Sequence, residues 1–137
     1  MEKILILLLI SLIYCGPYDN SRQTFVKSGT GLKGVSYQWQ LEGMREGCLF
    51  MAICCIGGLG SDADMQLARQ WAISKGYIRE DTYVNMGSMD LAAKISSHFN
   101  SIYHSDFNIA KGCGHFWAID SNGVEVFNAA GLGYTGC

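Results

Sequence analysis

Leu49–Ile56 reads LFMAICCI and has no polar side. Periodicity alone would allow a buried strand. Leu, Met and Ala favour helix, and Gly57-Gly58 supplies a C-terminal stop. A helix that is apolar all round belongs at the centre of a core, so the remaining elements must be arranged around it. The run opens on Arg45-Glu46-Gly47-Cys48, which sets a cysteine at the N-terminal edge of the predicted helix.

The 137 residues suit one domain. A net charge of −2 and the absence of any basic run point away from nucleic acid. The N-terminus is separate in character. Ile4–Ile13 (ILILLLISLI) follows Lys3 and is too short to cross a bilayer comfortably, but it suits the core of a signal peptide. Residues 1–15 are therefore expected to direct export, and 16–34, rich in glycine and polar residues, to form a linker and lead-in. Cys15, just past the apolar block, has the position of the acceptor in a lipoprotein cleavage site, although Tyr14 stands where a small residue is usual. The expected location is periplasmic or membrane-anchored, with a cytoplasmic chain as the alternative. Residues 35–137 form the expected folded domain.

Along that domain, Ser61–Lys75 is the clearest helix. Ser61 is a candidate N-cap with Asp64 three residues on, and Met65, Leu67, Ala68, Trp71 and Ala72 fall on one arc; Gly76 ends it. Tyr77–Met86 fits either an extended segment or a short helix. Ser88 is expected to cap Met89–Phe99, and Asn100–Lys111 to be a loop or irregular strand. Phe116–Ile119 and Val124–Phe127 flank Asn122-Gly123, a strong hairpin signal. Helices first and strands last predict an α+β fold, with helices packed on a C-terminal antiparallel sheet. Of six cysteines, Cys54 and Cys55 read as small core hydrophobes, Cys113 and Cys137 could pair, and no metal-ligand spacing is present.

A thiol attacks as thiolate, which a helix N-terminus and a nearby imidazolium both stabilise. Cys48 has the first of these. His98, on a helix flank, and His104, in a loop, are expected to face solvent. His115 stands immediately before a strand and is the candidate base. If Asn122-Gly123 is a two-residue turn, Ser121 opposes Val124, Ile119 opposes Val126 and Trp117 opposes Asn128. His115, Trp117 and Asn128 then share a face, with His115 and Asn128 diagonal at roughly 7–8 Å. Asn128 can orient the imidazole, while Asp120 points to the other face and serves the turn. The backbone N–H of Cys48 is the expected oxyanion donor, and Gln40 is the nearest upstream side-chain amide, with Gln38 second.

These motifs, REGCLFMAICCIGG, LARQWAISKGYI and GHFWAIDSNGVEVFNAAG, together resemble the papain-like superfamily of cysteine peptidases. Within it they resemble the bacteriocin-processing, double-glycine peptidases over about Gln38–Ala130. There is a looser similarity to small spirochaetal proteins, some carried by phages or plasmids. The resemblance implies a papain-like fold with Cys48 as nucleophile, His115 as base, Asn128 as orienting residue and Gln40 as oxyanion donor. Two departures stand out: Gln40 lies eight residues before Cys48, farther than usual, and Ala129-Ala130 replaces the common Asp-Pro.

The expected activity is thiol-dependent hydrolysis of an amide bond in a peptide or peptidoglycan-like substrate. The expected protein is a monomer needing no cofactor and no metal. Three alternatives remain: an inactive, surface-anchored binding module on the same scaffold, a peptidoglycan-cleaving endopeptidase, and a purely structural secreted protein with paired cysteines. The endopeptidase branch usually has Asp before the Cys and a His as the third triad member, whereas here Gly47 precedes Cys48 and the third-member candidate is Asn128.

Overall fold

The structure is a computed structural model that describes residues 47–129, 133–135 and 137. The 1–15 segment with Cys15, the 16–34 lead-in, Gln38 and Gln40 lie outside the described residues.

Three helices precede three strands: α1 (Gly47–Ile56), α2 (Asp62–Ser74), α3 (Ser88–Phe99), β1 (Asn108–Lys111), β2 (Phe116–Ile119) and β3 (Glu125–Phe127). The strands form one antiparallel sheet in the order β1-β2-β3. The α+β class, with helices packed on a C-terminal antiparallel sheet, is what the element order predicts.

α1 is the centre of the molecule. It packs against both other helices, α2 and α3, and against strands β1 and β2. Phe50, Ala52, Ile53, Cys54, Cys55 and Ile56 are fully buried. Each large apolar side chain removed from water here contributes roughly 1.5–3 kcal/mol. The all-round apolar composition is thus matched by partners on every side.

The ends of α1 and α2 follow from local sequence. After α1, Leu59 N–H donates to Cys54 O at 3.0 Å and Gly58 N–H to Cys55 O at 2.9 Å. This pattern needs a left-handed residue at Gly58, whose φ is +90°. A Cβ there would also strike the Ile102 backbone. α2 closes the same way on Gly76, with Tyr77 N–H donating to Ala72 O at 3.0 Å. At its start the Ser61 hydroxyl accepts from Asp64 N at 3.1 Å, as the capping signal predicts.

Several expectations are corrected. Leu67 is 54% exposed, because it lies off the Met65–Ala68–Ala72 stripe by which α2 enters the core. Ser88 begins α3 rather than capping it; Gly87 holds the cap position and makes no side-chain cap bond. Tyr77–Met86, for which both forms are open from sequence, takes the extended one and folds back on itself through an Ile78–Val84 bridge. Arg69 of α2 braces that turn, donating to Thr82 Oγ1 at 2.9 Å and to Glu80 O at 2.5 Å. Cys55 is buried as expected but is disulfide-bonded.

His104 is also corrected. It is 5% exposed and its ring stacks on Phe107 at 4.5 Å. Its backbone N–H donates to Ile56 O at 2.8 Å, and Ser101 Oγ donates to Gly57 O at 2.6 Å. The 101–104 segment therefore satisfies carbonyls at the C-terminal end of α1, and that duty draws the imidazole inward. Its Nε2 is buried with no hydrogen-bond partner among the described residues.

Two outcomes follow. Gly58→Ala should destabilise the protein by roughly 2–4 kcal/mol in urea denaturation, since it combines a left-handed φ with a backbone collision. Burial lowers the His104 pKa, with Asp106 opposing in part. The unfolded chain then binds the proton more readily than the folded one, so stability should fall as pH drops below about 6.5. His104→Gln should reduce that acid-side loss in denaturation midpoints measured at pH 7.5 and 5.5.

Candidate active site

Cys48 is the second residue of α1, half-buried against the core and not in a disulfide. Its position beside the first N–H groups of the helix is one that stabilises a thiolate. Cys54, near the C-terminal end of the same helix, shows the contrast: it is fully buried and burial pushes its thiol well above the ordinary value.

The helix bearing Cys48 packs on β2, and His115 is the residue immediately before that strand. A tight turn holds the His115 backbone: Gly112 N–H donates to His115 O at 2.8 Å, and Gly114 adopts φ +75°. The His115 ring is 5% exposed. Trp117 lies 6.0 Å away and nearly parallel to it, and Tyr134 lies 5.0 Å away edge-on. His115 and Trp117 share a face, as strand alternation requires.

His115 Nε2 and Asn128 Oδ1 are 2.7 Å apart, in a buried pair. The direction of this bond is set by the other end of the amide. Asn128 Nδ2 donates to Glu125 Oε1 at 2.7 Å and to Tyr134 O at 2.8 Å. Rotating the amide by half a turn would set its oxygen against a carboxylate and a carbonyl. Oδ1 therefore faces the ring as an acceptor, and Nε2 must carry the hydrogen. In the neutral imidazole, Nδ1 is then the nitrogen with the lone pair.

The route to this pairing differs from the two-residue turn. Asp120 N–H donates to Val124 O at 2.9 Å and Gly123 N–H to Asp120 O at 3.0 Å, which leaves a three-residue turn with Gly123 at φ +80°. Asp120 Oδ1 accepts from Asn122 N and Val124 N, both at 2.9 Å, so Asp120 does serve the turn. The longer turn pairs Ile119 with Glu125 instead of Val126. A bulge at Val126 then removes the slip, and Ala118 pairs with Phe127, the partner that the shorter turn would also have given.

Residues 133–135 complete the surroundings. Gly133 N–H donates to Glu125 Oε2 at 2.8 Å, and Cys113 N–H donates to Thr135 O at 3.0 Å. The Cys113–Cys137 disulfide fastens the chain end to the turn before His115. Gly112 permits the close approach, because a Cβ there would strike Thr135 O. Glu125 and Tyr134 escaped the sequence reading: Glu125 is an odd number of residues from Asn128, which in an unbroken strand means opposite faces.

Among the described residues no cluster of His, Cys, Asp or Glu is arranged to hold a metal ion. Comparisons with protein-family models, curated proteins and solved structures found no match to the chain.

The amide lock gives a direct test of why Asn stands at 128. Asn128→Asp would bury a carboxylate against the Glu125 carboxylate and the Tyr134 carbonyl. The expected cost near neutral pH is roughly 2–4 kcal/mol. Repulsion raises the pKa of the new acid in the folded state, so the deficit relative to wild type should shrink as pH is lowered toward 4. Urea denaturation at pH 7 and pH 4.5 checks both parts.

Proposed function

We propose that the protein is a papain-like cysteine hydrolase that cleaves an amide bond in a peptide or peptidoglycan-like substrate. The observation that carries this reading is the locked His115–Asn128 pair, since a base must present one defined nitrogen to its nucleophile. The placement of Cys48 in the first turn of a helix packed on β2 supports it.

In this mechanism His115 Nδ1 takes the proton of Cys48, and the thiolate sulfur attacks the substrate carbonyl carbon. Negative charge moves to the carbonyl oxygen, where the Cys48 backbone N–H stabilises it; Gln40 is the proposed second donor. The tetrahedral adduct collapses, the C–N bond breaks, and His115 returns its proton to the leaving amine. A thioester remains on Cys48. His115 then takes a proton from water, the resulting hydroxide attacks the thioester, and the acid is released as the thiol is restored. Throughout, Asn128 keeps the ring in one orientation by accepting from Nε2–H.

We also place the protein outside the cytoplasm, exported through its N-terminal apolar segment. The Cys113–Cys137 disulfide supports this, because such bonds persist in oxidising compartments.

Iodoacetamide labelling of the native full chain, read by mass spectrometry, tests the nucleophile. Cys48 should be alkylated far faster than Cys54. Cys48→Ala should abolish hydrolysis of a peptide library while leaving the fold unchanged by circular dichroism. Equal labelling of the two thiols would remove the basis for a catalytic Cys48. Retained binding by a wild type that cleaves nothing would favour a binding module on the same scaffold.

A further inference from the structure

We infer that Glu125 is a positioning residue of the site: its carboxylate fixes the orientation of the Asn128 amide and, through it, the tautomer of His115. The inference rests on the hydrolase reading for its purpose, but its geometry is independent of any reaction.

Glu125 and Asn128 are three apart, so a regular β3 would set them on opposite faces. The register prevents this. Ile119 pairs with Glu125 and Ala118 with Phe127, so Val126 is an extra residue between them. Ile119 and Ala118 point to opposite faces, and so do their partners. Asn128, one beyond Phe127, returns to the Glu125 face. The bulge is thus what brings the carboxylate to the amide, where Oε1 accepts from Asn128 Nδ2 at 2.7 Å.

The second carboxylate oxygen has a different task. Oε2 accepts from Gly133 N at 2.8 Å, and the next residue, Tyr134, offers its carbonyl to the other Asn128 N–H at 2.8 Å. One carboxylate therefore holds the amide directly and also holds the segment that supplies the second acceptor. A glutamine would leave one of the two donors unmatched, because each carboxylate oxygen accepts one of them and a glutamine sets an NH2 group in place of one oxygen. Tyr134 contributes its edge-on contact with the ring at 5.0 Å from the same segment.

The test reads the ring itself. Long-range proton–nitrogen NMR of the 15N-labelled full chain, at a pH where the imidazole is neutral, distinguishes Nε2–H from Nδ1–H. Wild type should show His115 as Nε2–H alone. Glu125→Gln and Glu125→Ala should each weaken the preference between the two amide orientations, by roughly fivefold for each hydrogen bond lost. The Nδ1–H form should then appear, and Cys48 alkylation should slow. A single Nε2–H ring in either folded variant overturns the inference. The wild type supplies a check needing no variant: both Asn128 side-chain protons should exchange slowly with solvent, and exchange at the rate of an exposed amide also overturns it. A tautomer shift in a protein whose Cys48 is unreactive would sink the hydrolase reading and keep this one. Reactive Cys48 with an indifferent tautomer would do the reverse.

Discussion

One buried amide links the parts of this structure that would otherwise be independent. Asn128 is fully buried, and a buried amide left unpaired costs about 1–3 kcal/mol for each unsatisfied group. Its donors and acceptor reach three places: the turn before β2 through His115, the start of β3 through Glu125, and the chain end through Tyr134. Moving any one of them breaks a hydrogen bond of a buried amide. The requirement that polar groups be satisfied thus places the imidazole more tightly than apolar packing alone could, because hydrogen bonds have direction and hydrophobic contacts do not.

The apolar core and the polar site meet along β2. Ala118 on that strand is fully buried, and its neighbour Trp117 turns toward His115. The alternation of a strand lets one short segment serve α1 with one face and the imidazole with the other. A cysteine at the start of the central helix and a histidine at the start of the strand packed on it are therefore held by the same core. A substitution deep in α1 would disturb both without touching either.

What could be read from the sequence was what local chemistry decides. Ser61 caps α2 and Gly58 ends α1 because each effect acts within a few residues. The burial of His104 and the exposure of Leu67 are not legible in this way, because each depends on which distant segment lies above it. The hairpin is the instructive case. Asn122-Gly123 located the turn but not its length, since the Asp120 carboxylate accepts from two backbone N–H groups and favours the longer form. The face shared by His115 and Asn128 was nonetheless reached, because the bulge at Val126 cancels the one-residue slip of that turn. Two departures from a regular hairpin, neither visible as a sequence pattern, offset each other. Glu125 lies between them, and so takes the opposite face from the one an unbroken two-residue hairpin would give it.

That offset also accounts for the covalent clamp at the chain end. Residues 133–135 form no strand with β3; they reach the site through single hydrogen bonds at Gly133, Tyr134 and Thr135. Such a segment loses conformational entropy on docking, and each residue fixed costs roughly 1–2 kcal/mol against hydrogen bonds worth about 1 kcal/mol each. Docking by those bonds alone would range from neutral to unfavourable by about 3 kcal/mol. A disulfide between Cys113 and Cys137 closes the segment onto the turn it must cover and restricts the unfolded chain, which tips the balance toward the docked form. The cysteines lie on the two stretches that flank His115 in space, so the bond constrains the site rather than the core. The core, centred on α1, is held by burial, whereas the segment over the site is held by directed hydrogen bonds and by this disulfide.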